Sequence, residues 1–366
     1  MREHLDFSLS LHHSLAPPPD RAFCWSPYSV ASALGLVASA AGGETRAEVL
    51  TALRAGDEPT GLRRLLSGAA ELTASGPGED PVLAVANTLW AHDELLVRES
   101  FLETLKEWPG NAVRTAPFRV DPEQARQRIN SDVAETTRDL IPELLDPGTV
   151  DAETVAALVN ALYLKVAWHE AFDTQATSEQ PFHAPAGDRD VPTMTATRRM
   201  RYAAADGWQA LTLPAAGDVE AVVLLPDGEL GPVEPQLTAD ALDSLLAASR
   251  QQRVELHLPR FSVTGEAELS GPLGELGVRR LFTPAADFTP LTDEPLKVST
   301  VVHQAVLRVD EAGFEGAAAT AAMMRLTAIV REEDPIRVRV DRPFLFLVRH
   351  RETGAIYFLS RVVDPS

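Results

Sequence analysis

The stretch EAGFEGAAATAAMMRLTAIV, residues 311–330, separates two segments that have the alternating pattern of core strands. The small side chains of residues 317–322 favour a short surface helix, although an isolated helix of that length is marginal in water. At a period of two, one side of the stretch carries Glu315 and Arg325 and the other side carries no charge. The uncharged side comprises Phe314, Gly316, Ala318, Thr320, Ala322 and Met324. This pattern predicts a segment with two states, an exposed loop and a strand.

The composition of the chain indicates a globular protein. Its 366 residues, 45% of them hydrophobic, suffice for one large core or two ordinary ones. A formal net charge of -20, without a basic run that contains aromatic residues, argues against nucleic acid as a partner. No apolar window approaches the roughly 18 residues that span a bilayer, so we expect no membrane insertion. No secretory signal is visible, which leaves a cytoplasmic location or leaderless export.

The order of the predicted elements indicates the fold class. Helical patterns occupy residues 28–41, 44–55, 61–73, 99–107 and 122–139, and short alternating runs dominate the second half. The apolar run at residues 155–168 is either a central strand or a buried helix, since its length allows both. Helices first and strands later, without βαβ alternation, predict an α+β fold built on large antiparallel sheets.

Catalytic and metal-binding motifs are missing from the sequence. It contains no P-loop, no dinucleotide-binding GxGxxG after a strand, no HExxH and no GxSxG. The single cysteine, Cys24, excludes an intrachain disulfide, and its apolar surroundings are typical of an inert buried thiol. We therefore predict no catalytic residue, no metal and no cofactor, and we expect that the protein is not an enzyme.

Several stretches, in the right order, resemble the serpin family of serine protease inhibitors. VHQAVLRVDEAGFEGAAATAA resembles the hinge and reactive centre loop of inhibitory serpins, and CWSPYSVASALGLVASAAGGETRAEVLTAL is similar to two early serpin helices. INSDVAETTRDLIPELLDPGTV and ALVNALYLKVAWHEAF are similar to the helix and the central strand with its Asn and Trp. VELHLPRFSVTGEAELSGPLGELGVRRLF and RPFLFLVRHRETGAIYFLSRVVDP resemble later strands and the C-terminus. The resemblance covers nearly the whole chain.

The resemblance implies an α+β serpin fold in one domain, residues 1–366. Helices of the N-terminal half surround a large, mostly antiparallel five-stranded central sheet, beside further β-sheets and an exposed reactive centre loop at about residues 311–335. It also implies a suicide-substrate inhibitor of serine endopeptidases. The protease cleaves the loop, and insertion of the loop as a new central strand traps the acyl-enzyme. The partner is then a serine protease, held covalently, and we expect the inhibitor to be a monomer.

The family's functional positions carry over to residues of this chain. Glu311 corresponds to the hinge acid and Arg260 to its basic partner, near Trp168, where insertion begins. A polar cluster beneath the opening strands corresponds to Ser26, Ser29, Asn160 and His303. The loop hinge corresponds to Glu311, Gly313, Phe314, Gly316, Ala317, Ala318, Ala319 and Thr320. Each set also has an ordinary structural interpretation: a surface ion pair, a core tryptophan and a satisfied buried network.

The reactive bond and one departure from the family complete the sequence-based hypothesis. The resemblance implies, by the family's spacing counted from Glu311, a reactive bond at Thr327–Ala328, and a shift of one or two residues would present Leu326 or Arg325 instead. Phe314 stands where the family normally has a small residue, and overpacking there would cost about 1 to 3 kcal/mol and slow insertion. The alternative function is a non-inhibitory serpin, a binding or folding-assistance module, and Phe314 is its support in the sequence.

Overall fold

The computed structural model describes residues 2–73, 80–108, 110–314 and 334–365. The helices are α1 (Arg2–Leu15), α2 (Pro27–Ala40), α3 (Gly43–Ala52), α4 (Thr60–Ala70), α5 (Glu99–Leu105), α6 (Pro122–Thr136), α7 (Leu230–Val233), α8 (Ala239–Ala248) and α9 (Ser270–Glu275). The strands are β1 (Phe23–Trp25), β2 (Val82–His92), β3 (Asn111–Ala116), β4 (Ala156–Ala167), β5 (Ser178–Ala184), β6 (Gly187–Ala205), β7 (Trp208–Pro214), β8 (Val219–Pro226), β9 (Arg250–Pro259), β10 (Phe261–Glu268), β11 (Thr300–Val309), β12 (Gly313–Phe314), β13 (Ile336–Arg339), β14 (Phe344–His350) and β15 (Ile356–Val362). The longer helices come first and most strands follow, so the predicted α+β class is confirmed.

A six-stranded central sheet has the order β10-β11-β12-β4-β2-β3. Because β12 is only two residues long, five long strands make up this sheet, as expected. The two longer pairings, β10 with β11 and β4 with β2, are antiparallel, whereas β11 with β4 and β2 with β3 are parallel. The sheet is therefore mixed, with antiparallel pairing the more extensive.

The two middle strands of the central sheet, β4 and β11, pair directly at one end only. Their parallel register runs from Thr300 opposite Ala157 to Ala305 opposite Leu162. Towards the other end β12 lies between them, antiparallel to both: Phe314 pairs with Val309 and with Val166. We call the boundary between β4 and β11 the seam; it is closed at one end and occupied by β12 at the other.

The central sheet is buried on both faces. Alternate residues of β4, such as Leu158 and Leu162, belong to the main core, while Val159 and Ala161 pack in a second core with Ile129 of α6. Strands that are buried on both faces lose the apolar-polar alternation. This explains why residues 155–168 allowed either a strand or a helix, and the structure shows a strand.

A second, nine-stranded sheet packs against the central sheet. Its order is β1-β15-β14-β8-β7-β6-β9-β13, and β5 pairs with β6 outside that path. Phe261 of β10 contacts Phe344 and Phe346 of β14 at ring distances of 5.7 and 5.1 Å, so aromatic side chains fill the space between the sheets. Within the described ranges, no helix is long and apolar enough to cross a membrane.

Gly265 permits the closest approach between the two sheets. A β-carbon on this residue of β10 would lie 1.9 Å from the carbonyl oxygen of Cys24 in β1. We expect Gly265→Ala to force the sheets apart and to lower stability by about 1 to 3 kcal/mol, measured as a lower thermal unfolding midpoint. Gly271→Ala is the matched control, because no atom lies within 4 Å of the added methyl group. Equal midpoints for the two variants would contradict tight packing at Gly265.

Candidate functional site

The segment that leads into β12 forms a tight turn attached to the end of β4. The Asp310 carboxylate accepts hydrogen bonds from the amides of Ala312 at 2.8 Å and Gly313 at 3.1 Å. Trp168, the residue after β4, donates its indole N–H to the Asp310 carbonyl at 2.8 Å and its amide to the Ala312 carbonyl at 2.9 Å. The backbone and the indole side chain of Trp168 therefore hold residues 310–313 at the end of the seam that β12 occupies.

Glu311 is held as a carboxylate at this turn. One of its oxygens accepts from Arg260 Nε at 2.7 Å and lies 2.5 Å from Arg260 Nη2, and the Thr177 hydroxyl donates to the same oxygen. Burial alone would raise the pKa of the Glu311 carboxyl, but the hydrogen bonds from Arg260 and Thr177 outweigh it, and the pKa is lowered. Since Arg260 directly follows β9, this ion pair ties the hinge to the second sheet.

Phe314 is fully buried beneath the turn. Its ring lies 4.7 Å from Trp168 and 6.3 Å from Phe346, in edge-to-face contact with both. Aromatic pairs of this geometry contribute about 0.5 to 1.5 kcal/mol beyond area burial. The ring that the sequence suggested as an obstacle therefore already has a place in the resting molecule. Its effect on the rate of insertion stays a prediction.

Gly313 fits into the seam because it has no side chain. A β-carbon here would lie 2.1 Å from the Val166 carbonyl oxygen, and the backbone φ of 156° is one that other residues rarely adopt. Nearby backbone atoms, unlike the ends of flexible side chains, have little freedom to move away. Glycine is thus required for β12 to lie between β4 and β11.

A second group of polar residues bridges the seam at its closed end. We call this group the polar cluster; its members are Ser26, Ser29, Asn87, Asn160 and His303. All five side chains are fully buried. His303 of β11 and Asn160 of β4 are opposite each other in the parallel register, with Nδ1 and Oδ1 2.5 Å apart. The Asn160 amide donates to Ser29 Oγ at 2.7 Å and to the Asn87 carbonyl oxygen. The cluster therefore joins β2, β4 and β11 to the first turn of α2.

The hydrogen bonds fix the protonation state of His303. The Ser26 amide donates to its Nε2 at 2.9 Å, so Nε2 is an acceptor and the ring proton resides on Nδ1, facing Asn160. Complete burial lowers the pKa of His303 to about 3. A second proton would remove the acceptor that Ser26 uses, so the cluster requires neutral imidazole.

The structure brings the predicted residues together in two groups. Trp168, Arg260 and Glu311 meet at the hinge with Gly313 and Phe314, and the four residues predicted for the buried network meet at the seam. The remaining predicted positions lie outside the described residues: Gly316, Ala317, Ala318, Ala319, Thr320, Arg325, Leu326, Thr327 and Ala328.

Sequence reasoning missed Thr177 and Asn87. The only available signal was Asn87 itself, an amide inside the apolar strand VLAVANTLWA, because a buried polar side chain needs partners. Thr177 lies in an unremarkable polar segment, and its role depends on contact with a residue 134 positions away.

Cys24 has no part in these groups. It is completely buried, as expected, and burial raises the pKa of its thiol to about 12, which disfavours the reactive thiolate. Across the described part of the chain, no group of three or more His, Cys, Asp or Glu residues is arranged to hold a metal ion.

The neutral state of His303 makes stability depend on pH. The folded pKa of about 3 lies below the unfolded value of about 6.5, so its contribution is complete above about pH 6.5 and is lost as the pH falls towards 3. At pH 5 the loss is about 2 kcal/mol for this residue. We expect thermal unfolding of His303→Gln to show a smaller change between about pH 7.5 and 5 than the wild type.

The exposed His169 supplies the control for this measurement. His169→Gln should retain the full decrease of the wild type on acidification. His4, whose pKa burial also lowers to about 3, should give a decrease that persists in His303→Gln. An unchanged pH dependence in His303→Gln would contradict the assignment.

Comparisons with known proteins agree on one family. The family model described as Serpin (serine protease inhibitor) matches residues 2–365. An uncharacterized serpin-like protein of Thermococcus kodakarensis is 31% identical, over 98% of this chain and 84% of its own length. The leukocyte elastase inhibitor of Sus scrofa is 33% identical, over 98% of this chain and 97% of its own length.

A solved structure shows the same architecture. Uncleaved ovalbumin superimposes with a TM-score of 0.87 at 25% identity, covering 99% of each chain. The match of the family model to nearly every residue, the similarity of full-length relatives and the shared architecture lead to one conclusion: this chain belongs to the serpin family.

Proposed function

We propose that the protein inhibits serine endopeptidases as a suicide substrate. The observation that carries this proposal is β12: the first two residues of the hinge strand already lie between β4 and β11. The relatives include a protein named leukocyte elastase inhibitor, which makes a serine protease the natural choice of target. The residues between Phe314 and the reactive bond would extend this strand after cleavage.

The proposed reaction involves the bond at Thr327–Ala328. The serine of the protease attacks the carbonyl carbon of Thr327, forms an ester, and releases the amine of Ala328 with residues 328–366. Insertion of residues 315 onwards then moves the ester and the attached protease along the central sheet. The protease is trapped because the ester cannot be hydrolysed in the displaced and distorted active site.

The register of β12 specifies where the later loop residues would go. Gly313 faces Ala167 and Phe314 faces Val166, so an antiparallel continuation would set Glu315 between Lys165 of β4 and Arg308 of β11.

The same continuation would bring Thr320 between Asn160 and His303. The acidic residue and the hydroxyl of the predicted hinge thus meet bases and polar groups, respectively. This agreement in chemistry supports insertion in the register that β12 begins.

The alternative is a non-inhibitory serpin that binds a partner or assists folding. Its support was the size of Phe314. In the resting molecule this side chain is packed against Trp168 and Phe346, which weakens the objection that the sheet has no room for it. The inhibitory function therefore remains the better proposal.

Incubation with chymotrypsin, trypsin and an elastase tests the proposal directly. We expect an adduct that survives denaturing electrophoresis, together with a released C-terminal peptide that begins at Ala328, identified by mass spectrometry. A different first residue, such as Leu326 or Thr327, would correct the reactive bond only. Clean cleavage by all three enzymes without adduct, and without a rise in the thermal unfolding midpoint of the cleaved chain, would favour the non-inhibitory alternative.

Gly313→Ala tests whether insertion proceeds through the β12 position. The added methyl group meets the Val166 carbonyl oxygen, so we expect it to displace Gly313 and Phe314 from the sheet in the resting molecule. Insertion must then overcome an overpacking cost of about 1 to 3 kcal/mol, which corresponds to roughly 5- to 150-fold in rate. We expect the variant to be cleaved normally but to yield less adduct per cleavage event. Gly228→Ala, with no atom within 4 Å of its β-carbon, is the control. An unchanged yield in Gly313→Ala would place insertion elsewhere.

A further inference from the structure

The outward face of three adjacent strands of the second sheet is rich in arginine. Two rows cross the strands in the order β6-β9-β13. The first row is Thr197, Glu255 and Arg337. The second row is Thr195, His257 and Arg339. One step further along β6, Arg199 lies opposite Arg253, and then Arg201 lies opposite Gln251. We call this surface the arginine face; its arginines are Arg199, Arg201, Arg253, Arg337 and Arg339.

The arginine side chains lie on the side of the sheet that faces solvent, opposite the side that faces the core. The alternate residues Val254 and Leu256 of β9 and Val338 of β13 are buried in the main core. Arg199, Arg201, Arg337 and Arg339 are exposed, and Arg253 is half-buried. The strand alternation therefore projects all five guanidinium groups away from the core.

Three of the five arginines on this face, Arg199, Arg201 and Arg339, lack a charged partner among the described residues. Glu255 is the one acidic side chain of the register rows given above, and it already contacts Arg337 at 3.0 Å and His257 at 2.9 Å. Arg199 and Arg253 are directly opposite each other, with Cβ atoms about 5 Å apart, so two arginine side chains leave the sheet from neighbouring positions. A positive surface in a chain with a net charge of -20 needs an external explanation.

The arginine face lies beside the strand at which both ends of the predicted reactive loop are attached. Arg260 follows β9 directly and holds Glu311 at the start of the loop, while Ile336 at the end of the loop pairs with Val254 in the same strand. Both ends of the loop are thus anchored on β9, about 20 Å apart at the usual rise per strand residue. A protease that engages the loop is brought beside β9 and its neighbours.

We propose that the arginine face is an exosite that selects target proteases with an acidic surface next to the active site. This inference rests on the inhibitory function proposed above and specifies the partner. Beyond the Debye length of about 8 to 10 Å, salt screens the net charge of the inhibitor. The charge of the surface nearest the protease therefore determines whether the two proteins attract each other at close range. Guanidinium groups pair with carboxylates in a two-point geometry, which favours this chemistry over a diffuse charge effect.

The test uses chymotrypsin before and after succinylation, which turns its surface ammonium groups into carboxylates. The rate constant for loss of the intact chain is measured for both enzymes and normalised to their activity on a small peptide substrate. This readout includes both trapping and simple cleavage, so it holds even if no adduct forms. Absence of adduct would count against the inhibitory function alone.

The net charge of the inhibitor and the proposed exosite predict opposite effects of succinylation on this rate constant. A chain of charge -20 should react more slowly with the succinylated enzyme. The exosite predicts that the wild type reacts faster with it, by about threefold to tenfold at about 0.1 to 0.15 M salt, where the Debye length is about 8 to 10 Å, and that the difference shrinks towards about 1 M salt. Equal or slower reaction would overturn the proposal.

Matched variants locate the effect. Arg199→Gln with Arg201→Gln should abolish the preference for the succinylated enzyme without changing the thermal unfolding midpoint. Arg46→Gln with Arg64→Gln, which removes two charges from α3 and α4, should retain it. Persistence of the preference in the first double variant would overturn the assignment to this face. Equal rates for both enzymes, with binding to a sulfated resin that the first variant loses, would assign the face to a free polyanion and also overturn the proposal.

Discussion

The rest of the structure depends on the limited pairing between β4 and β11. Two parallel strands in the middle of a sheet normally share hydrogen bonds along their whole length, because buried backbone groups need partners. Here direct pairing stops at Leu162 and Ala305, and residues from another segment take over at Val166 and Val309. The sheet is therefore prepared at one end for an additional strand. The ion pair of Glu311 with Arg260 and the indole of Trp168 keep residues 310–314 at that position.

Two different kinds of interaction control the two ends of the seam. At the hinge, a partly exposed ion pair contributes modestly by itself, and the hydrogen bonds of Trp168 and the buried aromatic contact of Phe314 with Trp168 add to the attachment. Farther along, the hydrogen bond between His303 and Asn160 crosses the directly paired strands within a fully buried network. Separation of the strands there would leave several buried polar groups without partners at once, at about 1 to 3 kcal/mol each. In the proposed mechanism the hinge would set the starting point of insertion, and the polar cluster would resist its continuation.

Much of the architecture could be predicted from local patterns. The alternating runs of the second half and the start of α6 after Asp121, whose carboxylate accepts from the Gln124 amide, follow from short-range rules. Residues 155–168 were ambiguous because burial on both faces removes the periodic signal. The site was less predictable for a related reason. Thr177 contacts Glu311, and Phe314 packs against Phe346, and both partners are distant in the sequence, so neither contact has a trace in the nearby residues. Family resemblance supplied Glu311 and Arg260, but it also suggested that Phe314 was an obstacle.

In the proposed mechanism the rate of insertion would depend on the closed end of the seam. Ordering about a dozen loop residues costs about 1 to 2 kcal/mol each, and roughly twenty new ladder hydrogen bonds return about 1 kcal/mol each, so these terms nearly cancel. Starting a strand is usually the unfavourable step, but here Gly313 and Phe314 are already paired and Phe314 is already buried. What remains is the separation of the paired residues between Thr300 and Ala305 from β4, including the contact of His303 with Asn160. In the proposed mechanism a barrier located there would keep the uncleaved form kinetically protected, with Gly313 and Phe314 already in the sheet.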